Sequence, residues 1–207
     1  MVGFLKLSYD YRTFMPSITL EPIMKNVLIT FALFITTVAG SFTHAADYNK
    51  GSTLFLLSNL HPDSSKNVLY TMNYQLPSLI PICSEITVIS KSKKRFTFSL
   101  EGREYIMVYD KHSKKAGVAF NTVLDFYFGS RCDKEKIKGM SGVDQKGIRK
   151  GIPSVGMTRE GVVYAMGRPP IHANPNLDSD TWMYWLNRFK RQAIDFDKNG
   201  LVEKVRL

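Results

Sequence analysis

An apolar run near the start of the chain constrains its fold most, because it separates residues that can build a domain from residues that cannot. Lys25 precedes the uncharged segment 27–38, which has the pattern of a signal-peptide hydrophobic region. The run of roughly 14 residues is shorter than the about 20 that a transmembrane helix needs. Thr43 and Ala45 are small, as a signal peptidase site requires. We therefore expect export, with cleavage after Ala45.

The segment 1–23, which precedes this signal, is unusual for an exported protein. A start codon assigned too early, with Met24 as the true start, is the simplest explanation. An uncleaved anchor is the alternative to cleavage. No cysteine stands directly after the apolar run, where a lipobox would have one, so no lipid anchor is predicted there. Residues 1–45 are left out of the fold prediction, and a periplasmic location is expected, with secretion or outer-membrane association as alternatives.

The remainder of the chain is long enough for one medium domain or two small ones. The sequence contains 44% hydrophobic and 12% aromatic residues, which is sufficient for a packed core and argues against disorder. Its net charge of +10 favours anionic envelope components or acidic proteins as partners. The lysines are scattered and are not interleaved with base-stacking aromatic residues, so no nucleic-acid partner is predicted.

Two cysteines, Cys83 and Cys132, are candidates for a disulfide. An oxidising compartment favours their pairing. The bond would close a loop of about 50 residues and would stabilise the fold by about 3–4 kcal/mol in the chain-entropy model. Two buried free thiols are the alternative, since sequence alone does not show whether the two Cα atoms lie within reach of each other.

Alternating apolar and polar residues predict a β-rich region over 46–129. The predicted strands are Asn67–Tyr74, Glu85–Ser90, Arg95–Leu100 and Arg103–Tyr109. They indicate a small antiparallel barrel or sheet that resembles bacterial SH3-like modules in its strand count and its Ile80–Pro81 start. A short helix is predicted over 119–128. Residues 130–155 are rich in lysine and glycine and are interpreted as a linker.

The last part of the chain, 156–207, predicts one helix followed by three antiparallel strands. Thr158 is a candidate N-cap for a helix over 159–166, and Gly167 can end that helix. The Asn199–Gly200 pair is a strong hairpin signal because both residues tolerate positive φ angles. The predicted strands are Thr181–Phe189, Gln192–Phe196 and Leu201–Val205.

Four short motifs in this part point to one family. They are Gly156–Val162, Gly167–Pro170, Asp180–Tyr184 and Phe196–Val202. Together they resemble the SmpA/OmlA domain, the domain of the small outer-membrane assembly lipoprotein BamE, over the C-terminal third of the chain. The resemblance implies an α+β fold in which the helix packs on the three-stranded sheet. A β-lactamase-inhibitor-protein-like domain has the same layout, and the pattern alone leaves both open.

The sequence departs from the BamE type in lacking the lipobox cysteine and in carrying the additional β-rich region. The resemblance implies a non-enzymatic binding or adaptor module, in outer-membrane or cell-envelope assembly. Its partner is expected to be an envelope protein or an anionic envelope component. The alternatives are an inhibitor-like protein that binds a secreted enzyme and an accessory to a cell-wall hydrolase. No transmembrane span is expected after cleavage.

Catalytic patterns are missing from the sequence. No nucleophile elbow or glycine-rich phosphate loop occurs, and the histidines lack metal-ligand spacing. Asp178 and Asp180 could pair as carboxylates, but they lie in a loop where aspartate normally forms turn hydrogen bonds. We therefore predict no catalytic residue, no metal and no cofactor.

The aromatic strand is the best candidate for a binding site. Alternation places Trp182 and Tyr184 on one face and Trp185 on the other, and one face must pack on the helix. Exposed aromatic residues usually mark partner sites, where Trp, Tyr and Arg dominate the binding energy. The predicted partner-binding residues are Trp182, Tyr184, Trp185, Arg188 and Phe189. The alternative is that the N-terminal region covers this face.

Overall fold

The computed structural model describes residues 46–207. The predicted signal segment and the residues that precede it lie outside the described residues. Within the described range, none of the helices combines the length and the apolar character that crossing a membrane requires.

The first part of the fold is a six-stranded sheet with the order β2-β5-β4-β3-β1-β6. Its strands are β1 Thr53–Leu56, β2 Val68–Tyr70, β3 Glu85–Lys91, β4 Arg95–Leu100, β5 Arg103–Val108 and β6 Phe128–Gly129. All neighbouring pairs are antiparallel except β2 and β5, which run parallel. The six-stranded sheet is therefore mixed, since five strands form antiparallel pairs as predicted and β2 adds in parallel to the edge strand β5.

Alternation along the strands explains which face of this sheet is buried. In β4, Phe96 and Phe98 are fully buried, whereas Arg95 is exposed and Thr97 is half-buried. β1 follows the same rule, with Leu54 and Leu56 in the core. The apolar face packs against the helix that precedes β6, through Val123 and Leu124. This arrangement removes most of the phenylalanine and leucine side chains of the region from water, which supplies the main driving force for its folding.

Four short helices lie between β5 and the C-terminal part of the chain. They are α1 Lys111–Lys115, α2 Phe120–Asp125, α3 Lys134–Lys138 and α4 Gly142–Lys150. α3 and α4 lie within residues 130–155, which the lysine and glycine content predicts to be a linker. α4 buries Ile148 in a second hydrophobic core, which also contains Met157, Trp182 and Tyr184. Gly147 lets Met157 approach so closely that a Cβ on residue 147 would lie 2.2 Å from the Met157 Sδ atom. Gly147 thus serves the close packing of α4 against Met157.

The second part of the fold is the predicted helix and three-stranded antiparallel sheet. They are α5 Arg159–Met166, β7 Thr181–Trp185, β8 Arg191–Phe196 and β9 Val202–Arg206, with the sheet order β7-β8-β9. The hydroxyl of Thr158 caps α5 by accepting from the Gly161 amide at 2.9 Å, and Gly167 ends the helix with a φ of 74°. The α+β fold class and this layout confirm the prediction.

A buried carboxylate joins α4 to α5. Asp144 is 1% exposed, and its Oδ1 accepts from the backbone amide of Thr158 at 2.8 Å. Its Oδ2 accepts from the hydroxyl of Ser141, which caps α4. Gly161 is required beside it, because a Cβ there would lie 2.0 Å from Asp144 Oδ1. One aspartate thus fixes the start of two consecutive helices.

Polar side chains from the first part bind the carbonyl groups at the end of α5. The side-chain amide of Asn59 donates to the carbonyl of Ala165, and that of Asn73 donates to the carbonyl of Met166. His61 lies between two carbonyls, with Nε2 at 3.3 Å from Ala165 O and Nδ1 at 3.2 Å from Leu76 O. These contacts satisfy carbonyls that a helix end leaves without partners. Residues 46–207 belong to one compact unit.

The two candidate cysteines are bonded in the structure. Cys83 and Cys132 have a Cα–Cα distance of 5.3 Å, within the range that a disulfide permits. No free cysteine remains among the described residues. The bond ties the segment before β3 to the segment before α3, and both cysteines are half-buried.

Candidate functional site

The predicted partner-binding residues separate into two groups according to burial. Trp182 and Tyr184 are 1% and 0% exposed and belong to the second core. They therefore offer no surface to a partner, and the prediction that placed them in a binding patch is wrong. Their face of β7 packs on α5, in one core with Val162, Ala165 and Met166.

Hydrogen bonds hold the polar groups of these two residues inside the core. The Tyr184 hydroxyl donates to the carbonyl of Gly167 at 2.8 Å, and burial raises its pKa well above the ordinary value. The Trp182 indole donates to the carbonyl of Leu177 at 3.1 Å. Both polar groups are thereby satisfied inside the core, as buried Tyr and Trp require.

Arg188 and Phe189 lie on the turn between β7 and β8 and are exposed. Phe189 is 79% exposed, more than any other phenylalanine within residues 46–207. The side-chain oxygen of Asn187 accepts from the amides of Phe189 and Lys190, which fixes the turn. The Arg188 guanidinium carbon lies 4.5 Å from the centroid of the Phe189 ring. The turn therefore presents a preformed cation–aromatic pair to solvent.

Trp185 connects this turn to the first part of the fold. Its backbone pairs with Tyr74 in a parallel bridge, and its carbonyl accepts from the Gln75 amide at 2.8 Å. Its ring centroid lies 5.1 Å from that of His172, which in turn lies 5.3 Å from that of His112. Trp185 is half-buried. Trp185 therefore stabilises the neighbouring surface by packing and offers little surface of its own to a partner.

A groove of about 620 Å³ lies between the turn and the segment that follows β2. We name it the aromatic groove, and its main lining residues are Tyr70, Met72, Tyr74, Leu76, Arg188 and Phe189. The Tyr70 and Tyr74 rings contact each other edge to face, with centroids 5.8 Å apart. The groove combines an apolar floor with the exposed pair on the turn, which is the composition of protein-binding surfaces.

The cations that line the aromatic groove form no ion pair with other described residues. Both oxygens of Asp110 accept hydrogen bonds from its neighbours, including the Thr71 hydroxyl at 2.7 Å and the His112 amide at 2.7 Å. Lys111 and Arg188 also line the groove, and the ion pairs within residues 46–207 include neither of them. Burial raises the pKa of Tyr74, so its phenol stays neutral at physiological pH. The groove therefore carries two cations that form no ion pair within residues 46–207, together with the carboxylates of Asp63 and Asp110, which also line it.

The groups considered for catalysis do not converge. Asp178 and Asp180 are both exposed, and Asp180 pairs with Arg159 at 3.3 Å. Burial and the neighbouring His112 lower the pKa of His172, which faces Trp185. In the described part of the chain, no group of three or more His, Cys, Asp or Glu side chains is placed to hold a metal ion.

Sequence reasoning missed Tyr70 and Tyr74, which line the groove, and the buried Asn73, which positions Tyr74. The strand pattern covered these residues, but only the fold brings them beside a turn more than a hundred positions away. Asn73 adopts a φ of 54°, which turns the chain after β2 and directs Tyr74 toward Trp185. Asparagine tolerates this left-handed conformation better than most residues, and that preference was the available signal.

Comparison with known protein families adds one finding. Residues 153–206 match the family model of the outer membrane protein assembly factor BamE domain. The suspected SmpA/OmlA, or BamE-like, domain is thus confirmed. The match covers about a quarter of the chain and contains α5, all three strands of the second sheet and the turn that carries Arg188 and Phe189. Comparisons with curated proteins and with solved structures give no significant match.

The BamE-like match bears on function at a coarse level. The family is described as an assembly factor of the outer membrane and not as an enzyme, which agrees with a binding module. One wall of the aromatic groove lies inside the matched residues, and the other wall comes from the end of β2, the segment that follows it and the start of α1, all outside the match. The groove is therefore a composite of the BamE-like part and the extra part.

Proposed function

We propose that this protein is a periplasmic, non-enzymatic adaptor in outer-membrane assembly, and that a protein partner docks on the aromatic groove. The observation that carries the proposal is the position of Phe189. It is 79% exposed on a fixed turn inside the BamE-like residues, beside a groove of about 620 Å³. A large exposed ring costs solubility, and its retention beside an apolar groove fits a protein-binding surface.

The chemistry of the groove supports a protein as the occupant. Tyr70, Tyr74 and Phe189 offer rigid aromatic surfaces, and Arg188 adds a planar cation beside them. These residue types dominate the energy of protein–protein interfaces. Lys111 and Arg188 have no ion-pair partner among the described residues, so an acidic side chain of the partner can neutralise them.

The preformed geometry of the groove also supports recognition. Asn187 fixes the turn, and the Asn73 and Gln75 amides hold the opposite wall against the end of α5. Binding then costs little side-chain and loop ordering, and more of the contact energy is retained as affinity.

Site-specific photo-crosslinking in cells tests this function. A photoreactive phenylalanine analogue at position 189 should crosslink to a component of the outer-membrane assembly complex. The matched control is the same analogue at position 155, where Val155 is 64% exposed and does not line the groove. Equal crosslinks from both positions, or crosslinks to that complex from position 155 alone, would contradict the proposal.

A further inference from the structure

A second groove, of about 900 Å³, lies where the β3–β4 hairpin meets the start of the described chain. We name it the basic groove. Its lining includes Tyr48, Lys50, Lys91, Lys93 and Asn121 and contains no acidic residue. It lies entirely outside the residues that match the BamE model, so that resemblance assigns no role to it.

At the basic groove, the fold brings together cationic side chains that lie in separate parts of the sequence. The hairpin turn contains Lys91, Lys93, Lys94 and Arg95, all exposed. The backbone amide of Gly51 donates to the carbonyl of Val88 at 2.8 Å, which places Lys50 beside the same hairpin. Within residues 46–207, none of the ion pairs involves these five side chains. Their positive charges are therefore not neutralised by the protein.

Two carboxylates, those of Asp47 and Asp125, lie beside residues of the basic groove but do not line it. The two oxygens of Asp47 accept from the Asn49 amide at 3.0 Å and from the Ser52 hydroxyl at 2.8 Å. Asp125 accepts from the Tyr48 hydroxyl at 2.7 Å. Three lysines, Lys50, Lys91 and Lys93, line the groove and no carboxylate does, so the groove is net positive. Such a concave basic site concentrates anions.

The walls of the basic groove are fixed by the core. The Tyr48 ring contacts the fully buried Phe96 edge to face at 5.4 Å, and the Lys91 ammonium lies 5.5 Å from the Tyr48 centroid. The Ser92 hydroxyl oxygen accepts from the amide of Arg95 at 3.1 Å, which closes the hairpin turn. The site is thus an apolar wall with ammonium groups at its rim, formed before any ligand arrives.

We propose that the basic groove binds the phosphate of an anionic phospholipid headgroup and docks the hairpin on a membrane surface. Lysine ammonium groups suit a phosphate as point charges, and the apolar wall suits the hydrocarbon that begins next to the headgroup. The cations lie at the exposed end of a hairpin, which can reach a flat surface. Each basic residue near an anionic bilayer strengthens binding by about fivefold.

Vesicle co-sedimentation of the purified protein tests this site separately from the aromatic groove. The protein should bind vesicles of equimolar phosphatidylcholine and phosphatidylglycerol but not vesicles of phosphatidylcholine alone. The variant Lys91→Gln plus Lys93→Gln should bind on the order of 25-fold more weakly. The matched control, Lys146→Gln plus Lys150→Gln, removes the same charge from exposed positions on α4 and should keep most of the binding.

Several outcomes would overturn the proposal. One is an equal loss in both double variants, because the attraction would then depend on net charge alone. Another is displacement by inorganic phosphate at matched ionic strength, which would indicate a site for a soluble anion. No binding to either vesicle would also overturn it and would point to an acidic protein as the occupant. Thermal unfolding of the variants should match that of the wild type, which separates binding from folding.

Discussion

The side-chain amide nitrogen of Asn73 lies 2.8 Å from the carbonyl oxygen of Met166. The same amide donates to the carbonyl of Arg168 at 2.9 Å. Asn73 belongs to the segment after β2, whereas Met166 ends α5 in the BamE-like part. This contact holds the wall of the aromatic groove that carries Tyr74 against the part that carries Phe189.

Asn73→Ala should destabilise the protein by about 1–3 kcal/mol, because the carbonyls of Met166 and Arg168 each lose one of their hydrogen-bond donors. The φ of 54° adds to the cost, since alanine disfavours that conformation. Urea unfolding measures the change. Asn121→Ala, at an exposed position, is the control and should change stability by less than about 0.5 kcal/mol. Equal stability of the two variants would show that the junction does not depend on Asn73.

A pair of glycines tests the contact between α4 and α5. Gly161→Ala should cost about 1–3 kcal/mol or more, because the new Cβ would lie 2.0 Å from Asp144 Oδ1. Gly142→Ala has nothing within 4 Å and should be neutral or stabilising, since alanine favours a helix. Thermal unfolding of both variants measures the difference, and similar melting temperatures would contradict the close approach.

The disulfide should stabilise the protein because it closes a loop and so lowers the conformational entropy of the unfolded chain. Cys83 and Cys132 are separated by 49 positions. Replacing both with serine should lower the free energy of unfolding by about 4 kcal/mol in the chain-entropy model. A reducing agent should destabilise the wild type and leave the serine variant unchanged. A wild type that does not respond to reduction would show that the bond is absent in solution.

Stability should fall in mildly acidic solution because of buried histidine. Burial lowers the pKa of His61 below its ordinary 6.5, although the Ala165 and Leu76 carbonyls favour the proton. The unfolded chain therefore takes up this proton at a higher pH than the folded protein. The stabilisation is fully present above about pH 6.5 and is lost as the pH falls below that value.

Urea unfolding at about pH 7.5 and about pH 5.5 measures this loss. Burial and His112 also lower the pKa of His172, so it contributes in the same direction. His61→Gln removes one titrating group and should reduce the pH dependence. A variant that loses as much stability as the wild type between the two conditions would exclude His61 as the main cause.

Local patterns were sufficient to predict much of the C-terminal fold. Thr158 and Gly167 bound α5 as expected, because a capping hydroxyl and a glycine stop act within a few residues. The same holds for β4, whose predicted range equals the observed one, since the alternation of Phe96 and Phe98 is strict. Signals of this kind need no knowledge of distant residues.

Non-local contacts explain what the sequence did not predict. Alternation separated Trp182 from Trp185 but did not show that the Trp182 face is the buried one, because α5 decides that. The helices at 134–150 were missed since their glycines usually indicate loops, whereas Gly147 is there to admit Met157. Lys50 and Lys93 are far apart in sequence, and only the pairing of the strands brings them to one groove.

The affinity of the outer-membrane assembly complex for the purified protein tests the central claim most directly. Surface-immobilised wild type is compared with Phe189→Ala and with Val155→Ala, which also removes an exposed apolar side chain. The account predicts at least about tenfold weaker binding for Phe189→Ala, as for a hot-spot residue, and unchanged binding for Val155→Ala. Equal binding by the wild type and Phe189→Ala would contradict it.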